Sequence, residues 1–350
     1  MTEDERWMRR CLQLARCGEI GAPPNPMVGA VIVCDGRIIG EGYHVHCGEG
    51  HAEVNAFASV HDPELLSRAC MYVSLEPCAH YGRTPPCAKL IIEKGVKNVV
   101  VGTVDPFAKV NGQGIRMLRE AGVNVRTGVL EKECRLLNKR FIISQTHDRP
   151  FITLKWAQSA DGFLAPRIAA SSPIFISTPQ TLVHVHHLRA RHQAILVGRR
   201  TAQLDNPSLT LRYWAGKQPL RVVFDRNGVL KSSLHIFDGQ APTLIIGETD
   251  SDERQRLGSY DFLPIDYSRS VLPQVLKELK ARGVQSLLVE GGRQLLQSFI
   301  DENLWDETHI EVGCSNFKEG LPAPILPPGL EAVSESVFGH KIIQNQNYTF

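Results

Sequence analysis

Two α/β units in tandem are what this sequence predicts, and three observations carry that prediction. At 350 residues the chain is too long for one ordinary core. Apolar strand-like runs alternate with helical ones in both halves, the order of a parallel or mixed sheet covered by helices. The alternation breaks once, near "THDRP" (Thr146 to Pro150), and a new strand pattern starts there. The expected units are therefore 1–147 and 148–350.

The elements follow in order. "MTEDERWMRRCLQLARCGE" reads as a charged amphipathic helix, and "MVGAVIVCDGRIIGEGYH" as two apolar runs split by Asp35-Gly36, a hairpin signal. "HAEVNAFASV" has helical spacing, and "CMYVSLEP" is a strand closed by Pro77. Helix "CAKLIIEKG", strand "NVVVGTV", helix "QGIRMLREAG" and strand "NVRTGVL" complete the first unit. The second begins with strand "FITLKWAQ" and continues through strands "AILVG", "LRVVFD" and "TLIIG". Helix "VLPQVLKELKARG", strand "SLLVEGG", helix "RQLLQSFIDENL", strand "THIEVG" and a mixed apolar-polar tail end it.

Composition narrows the function classes. An apolar fraction of 43% and a charged fraction of 22% belong to a folded globular protein. The formal charge is only +2 with no long basic run, so a purely electrostatic grip on nucleic acid is not indicated. Charged or turn residues interrupt every apolar segment before membrane-spanning length. The first helix has no apolar secretory core, which makes the cytoplasm the expected compartment. Nine scattered cysteines do not form a disulfide framework. Cys11, Cys17, Cys34, Cys70, Cys134 and Cys314 are expected to be reduced, buried and inert.

Two stretches carry chemistry: "GHAEVNAF" (Gly50 to Phe57) and "LEPCAHYGRTPPC" (Leu75 to Cys87). A catalytic zinc takes three protein ligands and keeps one position open, and His51, Cys78 and Cys87 supply that number. Glu53, on the first turn of a helix, is poorly disposed as a fourth ligand and well placed to move protons. A histidine-any-glutamate followed by proline-cysteine is the signature of zinc deaminases of nucleobases. Their cysteines are separated by two residues, whereas eight intervene here. A structural zinc site, with Cys47 or His80 closing the fourth position, uses the same residues. So does a pair of buried cysteines beside an unrelated histidine.

The wider sequence resembles one family. "PPNPMVGAVIV", "GEGYHVHCGEGHAEVNA" and "YVSLEPCAHYGRTPPCA" are similar to the riboflavin-biosynthesis bifunctional deaminase-reductases, called RibD or RibG in bacteria, whose long inter-cysteine loop is a hallmark. "LKWAQSADG", "HHLRARHQAILVGRRTAQLDNPSLTLR", "QPLRVVFD" and "LLVEGGRQLL" resemble the reductase half. The resemblance implies an N-terminal cytidine-deaminase-like α/β/α domain and a C-terminal dihydrofolate-reductase-like α/β domain. It implies zinc-dependent deamination of 2,5-diamino-6-(5-phosphoribosylamino)pyrimidin-4(3H)-one, with one Zn2+ per deaminase domain. NADPH-dependent reduction of the ribosyl side chain of 5-amino-6-(5-phosphoribosylamino)uracil to ribityl then follows. Small phosphorylated pyrimidines are the implied partners, with neither nucleic acid nor membrane, in a homo-oligomer (dimer or tetramer).

Residue by residue, the resemblance makes His51, Cys78 and Cys87 the zinc ligands and Glu53 the proton shuttle. Asn25, His44, His80, Arg83 and Asp105 match deaminase substrate contacts. Lys155, Arg189, Leu209, Arg212 and Glu290 match reductase substrate contacts. Phe175, Thr201, Asp205, Gly291, Gly292, Arg293, Gln294, Leu295 and Leu296 match cofactor contacts. No G-x-G-x-x-G fingerprint accompanies them, but Gly-Gly between a strand and a helix lets a phosphate approach the backbone. The chain departs from the family pattern in several places. "DPFA" stands for "DPNP", Phe163 for the usual lysine, and Pro173 lies near a substrate-binding serine. Phe175 replaces a common cofactor-stacking tryptophan, and the closing loop "SNFKEGLPAPILPPG" is unusual. Two other classes share these motifs: a zinc deaminase of free or RNA-borne bases with an attached binding module, and a zinc-stabilised interaction protein without catalysis.

Overall fold

The computed structural model describes residues 1–81, 85–106, 111–167, 175–249 and 260–348. The chain divides into two compact units, Met1–His147 and Asp148–Phe350.

The first unit opens with α1 (Glu3–Arg16), which starts at a reciprocal cap: the Thr2 hydroxyl accepts from the Glu5 N–H and the Glu5 carboxylate accepts from the Thr2 N–H. The hairpin β1 (Gly29–Cys34) and β2 (Arg37–Tyr43) turns at Asp35 and Gly36, both at positive φ (50° and 71°), as a two-residue turn matching strand twist requires. Then come α2 (Ala52–Ala58), a 3-10 turn (Pro63–Arg68), β3 (Cys70–Leu75), α3 (Cys87–Glu93), β4 (Asn98–Thr103), α4 (Gln113–Glu120) and β5 (Asn124–Thr127). Two further helices, α5 (Glu131–Leu137) and α6 (Lys139–Thr146), end the unit. The sheet order is β2-β1-β3-β4-β5, antiparallel on the hairpin side and parallel from β3 to β5. Strand alternation sends Ile32, Val73 and Val99 into the core beneath α2, α3 and α4, while Val31, Tyr72 and Val100 meet α1 and α5. The result is a three-layer α/β/α sandwich with the exits of β3 and β4 side by side.

The second unit contains β6 (Phe151–Gln158), β7 (Phe163–Pro166), α7 (Pro179–Ala190), β8 (Ala194–Val197), α8 (Arg199–Asp205) and β9 (Leu220–Phe224). It continues with β10 (Thr243–Gly247), β11 (Asp261–Pro264), α9 (Val271–Ala281), β12 (Ser286–Val289) and α10 (Arg293–Asp301). The last strands are β13 (Glu307–Val312), β14 (Gly320–Pro322), β15 (Ala332–Val337) and β16 (His340–Asn345). Nine of these strands form one sheet, ordered β11-β10-β9-β8-β12-β6-β13-β16-β15, parallel from β11 to β13 and antiparallel at the β16-β15 edge. β14 and β7 make a separate ribbon. One face of the large sheet is uniformly apolar under α9 and α10, with Leu154, Leu196 and Val289 packed on Leu276 and Phe299. The other face is apolar under α7 and α8 along β8 and β9. On β6 and β13, by strand register, that same face carries Thr153, Lys155, Glu307, His309 and Glu311. Four of these five are hydrogen-bonded: Thr153 pairs with His192 and donates to Glu307, His184 bonds His309, and Glu311 accepts from Ser177 and His340.

Among the described residues no helix is long and apolar enough to cross a membrane. The nine cysteines are free, but the expectation of uniform burial needs correcting. Cys17 and Cys314 are exposed and Cys70 is half-buried, because Cys17 caps the end of α1 and Cys314 follows the last residues of β13.

Candidate functional site

The first unit gathers His51, Cys78 and Cys87 so that their ligand atoms all lie within 4.8 Å of one another. His51 is the N-cap of α2, Cys78 follows the proline that stops β3, and Cys87 is the first residue of α3. His51 Nδ1 stands 3.6 Å from Cys78 Sγ and 3.3 Å from Cys87 Sγ. Tetrahedral zinc with two sulfurs and one nitrogen requires ligand separations of roughly 3.5–3.8 Å, so the donor set fits that ion. The Cys87 N–H, a free donor at the start of α3, points at Cys78 Sγ (3.3 Å). The Cys87 side chain above all, then His51 and that backbone bond, lower the Cys78 thiol below its usual range against the opposing effect of burial. Cys87 is pushed up by its bond to Cys78 and by burial.

Glu53 sits in the first turn of α2 with 3% of its surface exposed. Burial raises its carboxyl to about 7, opposed mainly by His51. His44 is buried and lies edge-on to His51, with ring centroids 5.4 Å apart. Its Nδ1 faces the Gly50 carbonyl at 3.0 Å, and a carbonyl only accepts, so Nδ1 carries the proton. Burial lowers the imidazole pKa and favours the neutral ring, whose Nε2 then accepts from Asn25 Nδ2 at 3.1 Å. The Asn25 amide is thereby oriented and its oxygen remains an acceptor. Asp105 is buried at the exit of β4. His80 is exposed, and Arg83 lies outside the described residues. Cys47, a possible fourth ligand from sequence, is exposed and is not part of the cluster.

In the second unit all the expected residues from Lys155 to Leu296 line one cavity of about 1920 Å³ at the carboxyl ends of the parallel strands. That exceeds the few hundred Å³ of a single-ligand cleft and suits a dinucleotide with a second ligand. Its floor is an ion pair: Arg189 Nε and Nη2 donate to the two Glu290 oxygens at 2.8 and 2.6 Å. Burial raises the Glu290 carboxyl, but Arg189, Lys155 and His186 outweigh it and hold it below the usual range. The His186 ring accepts the Arg212 backbone N–H at Nδ1 (3.0 Å), which fixes the chain beside the cavity mouth. Leu209 is buried at a positive φ of 53°. Gly292 is the N-cap of α10, and the helix's first residues line the cavity. Phe175 lines the mouth at 80% exposure, and Pro173 lies outside the described residues.

Residues 1–103 match the cytidine and deoxycytidylate deaminase zinc-binding region, and residues 150–314 match the RibD C-terminal domain. The riboflavin biosynthesis protein RibD of Aquifex aeolicus is 38% identical over 336 residues, covering 95% of this chain and 93% of that protein. The chain belongs to the RibD family. The RibD of Bacillus amyloliquefaciens is 41% identical over 88% of this chain and 83% of its own. A crystal structure of a diaminohydroxyphosphoribosylaminopyrimidine deaminase/5-amino-6-(5-phosphoribosylamino)uracil reductase from Thermotoga maritima matches with a TM-score of 0.87 at 35% identity, over 98% of both chains. Acinetobacter baumannii RibD matches with a TM-score of 0.86 at 30% identity, over 99% of both. RibD-family enzymes join a zinc-binding deaminase domain to a reductase domain that uses NADPH.

Sequence reasoning passed over three groups. Glu76, in "LEPC", is a buried carboxylate that accepts from four backbone N–H groups among the described residues. His186 was visible as one of several adjacent histidines with nothing to single it out. The buried His184–His309 pair, 3.1 Å apart, joins residues 125 positions apart and has no local signal.

Proposed function

We propose that this chain deaminates 2,5-diamino-6-(5-phosphoribosylamino)pyrimidin-4(3H)-one through residues 1–147. Residues 148–350 then reduce the ribosyl group of the resulting uracil to ribityl with NADPH. The observation that carries the reading is the pairing of a three-ligand zinc-type donor set with a buried carboxyl at Glu53 whose pKa is near 7. His51, Cys78 and Cys87 would hold a zinc ion, which when bound would supply the Lewis acidity that makes water nucleophilic near neutral pH. Glu53, a carboxyl raised by burial beside the ligands, would take a proton from the attacking water and give one to the departing amine. Asn25, oriented by His44, offers its amide oxygen to a pyrimidine N–H. A purely structural metal site leaves a buried, proton-competent carboxyl beside the ligands without a purpose.

In the second unit NADPH supplies hydride. The Arg189–Glu290 pair shapes the substrate end of the cavity, and Arg212, held by His186, offers its guanidinium to the phosphate. Lys155 is half-buried in β6 and lines the same cavity, where its ammonium reaches the ribose. Thr201, Asp205 and the run from Gly291 to Leu296 hold the dinucleotide. Nine free thiols suit the reducing cytoplasm, and a homo-oligomer is the expected assembly. The test is mass detection of both products from the diaminopyrimidine, with and without NADPH. Deaminated uracil alone without NADPH, and its ribityl product with it, are expected; absence of either product removes the corresponding half of the reading.

A further inference from the structure

Glu76 leaves β3 two residues before the ligand Cys78, is 4% exposed, and is the hub of four backbone hydrogen bonds. Oε2 accepts from the N–H groups of Asp105 (3.2 Å) and Gly112 (2.9 Å). Oε1 accepts from Gly114 (2.9 Å) and Ile115 (3.2 Å). A carboxylate offers about four lone-pair sites, and all four are taken, which leaves none for a metal or a substrate. The Gly112, Gly114 and Ile115 donors belong to the start of α4, where the helix leaves N–H groups without internal partners and favours negative charge. These four bonds are what make a buried carboxylate tolerable here. The contact is also close: a side chain at Gly114 would collide with the Pro77 carbonyl, so α4 is seated directly on the segment that carries Cys78.

One carboxylate thus ties both described ends of the β4–α4 connection, Asp105 and Gly112, to the residue next but one to a zinc ligand. We propose that Glu76 is a positioning residue for deamination, setting the place of Asp105 relative to the metal centre. The inference rests on the reading above, in which Asp105 contacts the pyrimidine substrate. Glu76 itself touches no reacting atom; it acts through the loop.

Glu76→Gln tests this. An amide keeps one acceptor oxygen and turns its NH2 toward two N–H donors, so two of the four bonds are lost. The expected variant retains one zinc per chain and the wild-type reductase rate, with faster amide exchange at Asp105 and Gly112. Its KM for the diaminopyrimidine rises about tenfold while kcat stays within about threefold. Asp105→Asn alone also raises KM, and the double variant is no worse than the more severe single, because both act on one contact. An unchanged KM in Glu76→Gln, multiplying effects in the double variant, or loss of zinc together with turnover would each overturn the proposal. If Glu76→Gln does not fold, Glu76→Asp takes its place: it keeps the charge but is too short to reach both ends, and the same pattern is expected at smaller amplitude. A wild-type chain that releases no ammonia sinks the reading of the whole site, whereas a normal wild type with kinetically silent Glu76 variants removes Glu76 alone.

Discussion

The zinc-type cluster and the reductase cavity solve the problem of placing reactive groups in opposite ways. His51, Glu53, Cys78 and Cys87 come from two short stretches less than forty residues apart and are placed by the starts of two helices, α2 and α3, and the end of one strand. Each ligand is fixed by its own element's terminus, and the Cys87 N–H donates to Cys78 Sγ within a cluster whose ligand atoms lie within 4.8 Å of one another. The cavity draws on residues from Lys155 to Leu321, on β6, β7, β9, β14, α7, α8, α9, α10 and the turns that follow β8 and β12, and a buried ion pair lines it. A compact site concentrates function in a few atoms. An extended one depends on the sheet remaining assembled. Substitutions should therefore separate chemistry from stability in the first unit and mix them in the second.

The largest effect belongs to Glu53. Glu53→Gln is close to isosteric and removes the proton carrier while leaving three ligands, so zinc content should survive. Deamination should fall about 10²- to 10⁴-fold. Metal analysis and ammonia release measure the two outcomes separately, and loss of zinc in this variant would mean that the carboxylate supports the cluster instead of the reaction.

Next is Glu290→Gln, which strands the Arg189 guanidinium among buried groups. Removing one partner of a buried pair costs about 3–5 kcal/mol, and both side chains here are nearly covered (12% and 8% exposed). Denaturant unfolding should show that loss in the second unit, with ammonia release unchanged. A fully stable variant with weakened substrate binding would instead make the cavity as separable as the metal cluster.

The two sites were also unequally legible. The hairpin at Asp35-Gly36 and the strands β3, β4, β6, β9, β10 and β12 follow from period and turn chemistry, which are local signals; the histidine-glutamate and proline-cysteine motifs mark the metal cluster, but eight residues between the cysteines leave its ligand set to family resemblance. α7 was not read as a helix because His184, His186 and His187 interrupt its apolar periodicity; His186 is nevertheless buried, beside Thr181, Val185 and Leu188. α5 and α6 close the first unit where no strong pattern announces them. β15 is an exposed edge strand with nothing on its outer side to impose alternation. Glu76 escaped because its partners lie 29 to 39 positions downstream and are backbone groups, which no residue pattern reports. The carboxyl ends of the strands were identifiable as the reductase site only through family resemblance, since Gly291-Gly292 is weak evidence by itself.

A smaller effect comes from pH. In the folded second unit burial, then His184 and Lys155, lower the His309 pKa to about 3. The unfolded imidazole takes a proton below its ordinary value of about 6.5, while the folded one stays neutral. Unfolding therefore binds a proton between those values, and stability falls as pH drops from 6.5 toward 3, by up to ~1.4 kcal/mol per pH unit. His309→Gln should flatten that part of the stability–pH profile measured by denaturant titration. An unchanged slope would show that the pair with His184 is not kept neutral by its surroundings.

The mildest prediction sharpens the comparison most, because it asks whether any part of the cavity behaves like the metal cluster. Phe175 is 80% exposed at the cavity mouth, so its ring contributes little to folding. Phe175→Ala should leave unfolding free energy within about 0.5 kcal/mol of wild type. If the ring stacks on the dinucleotide, losing it should raise KM for NADPH about 3- to 10-fold with kcat unchanged, the range of an aromatic contact. Phe175→Trp, with a larger face, should lower KM below the wild-type value. Steady-state reduction at varied NADPH reads all three chains. An Ala variant with normal KM would mean that the cofactor is gripped only by groups that also hold the sheet together, leaving binding and folding inseparable throughout the second unit.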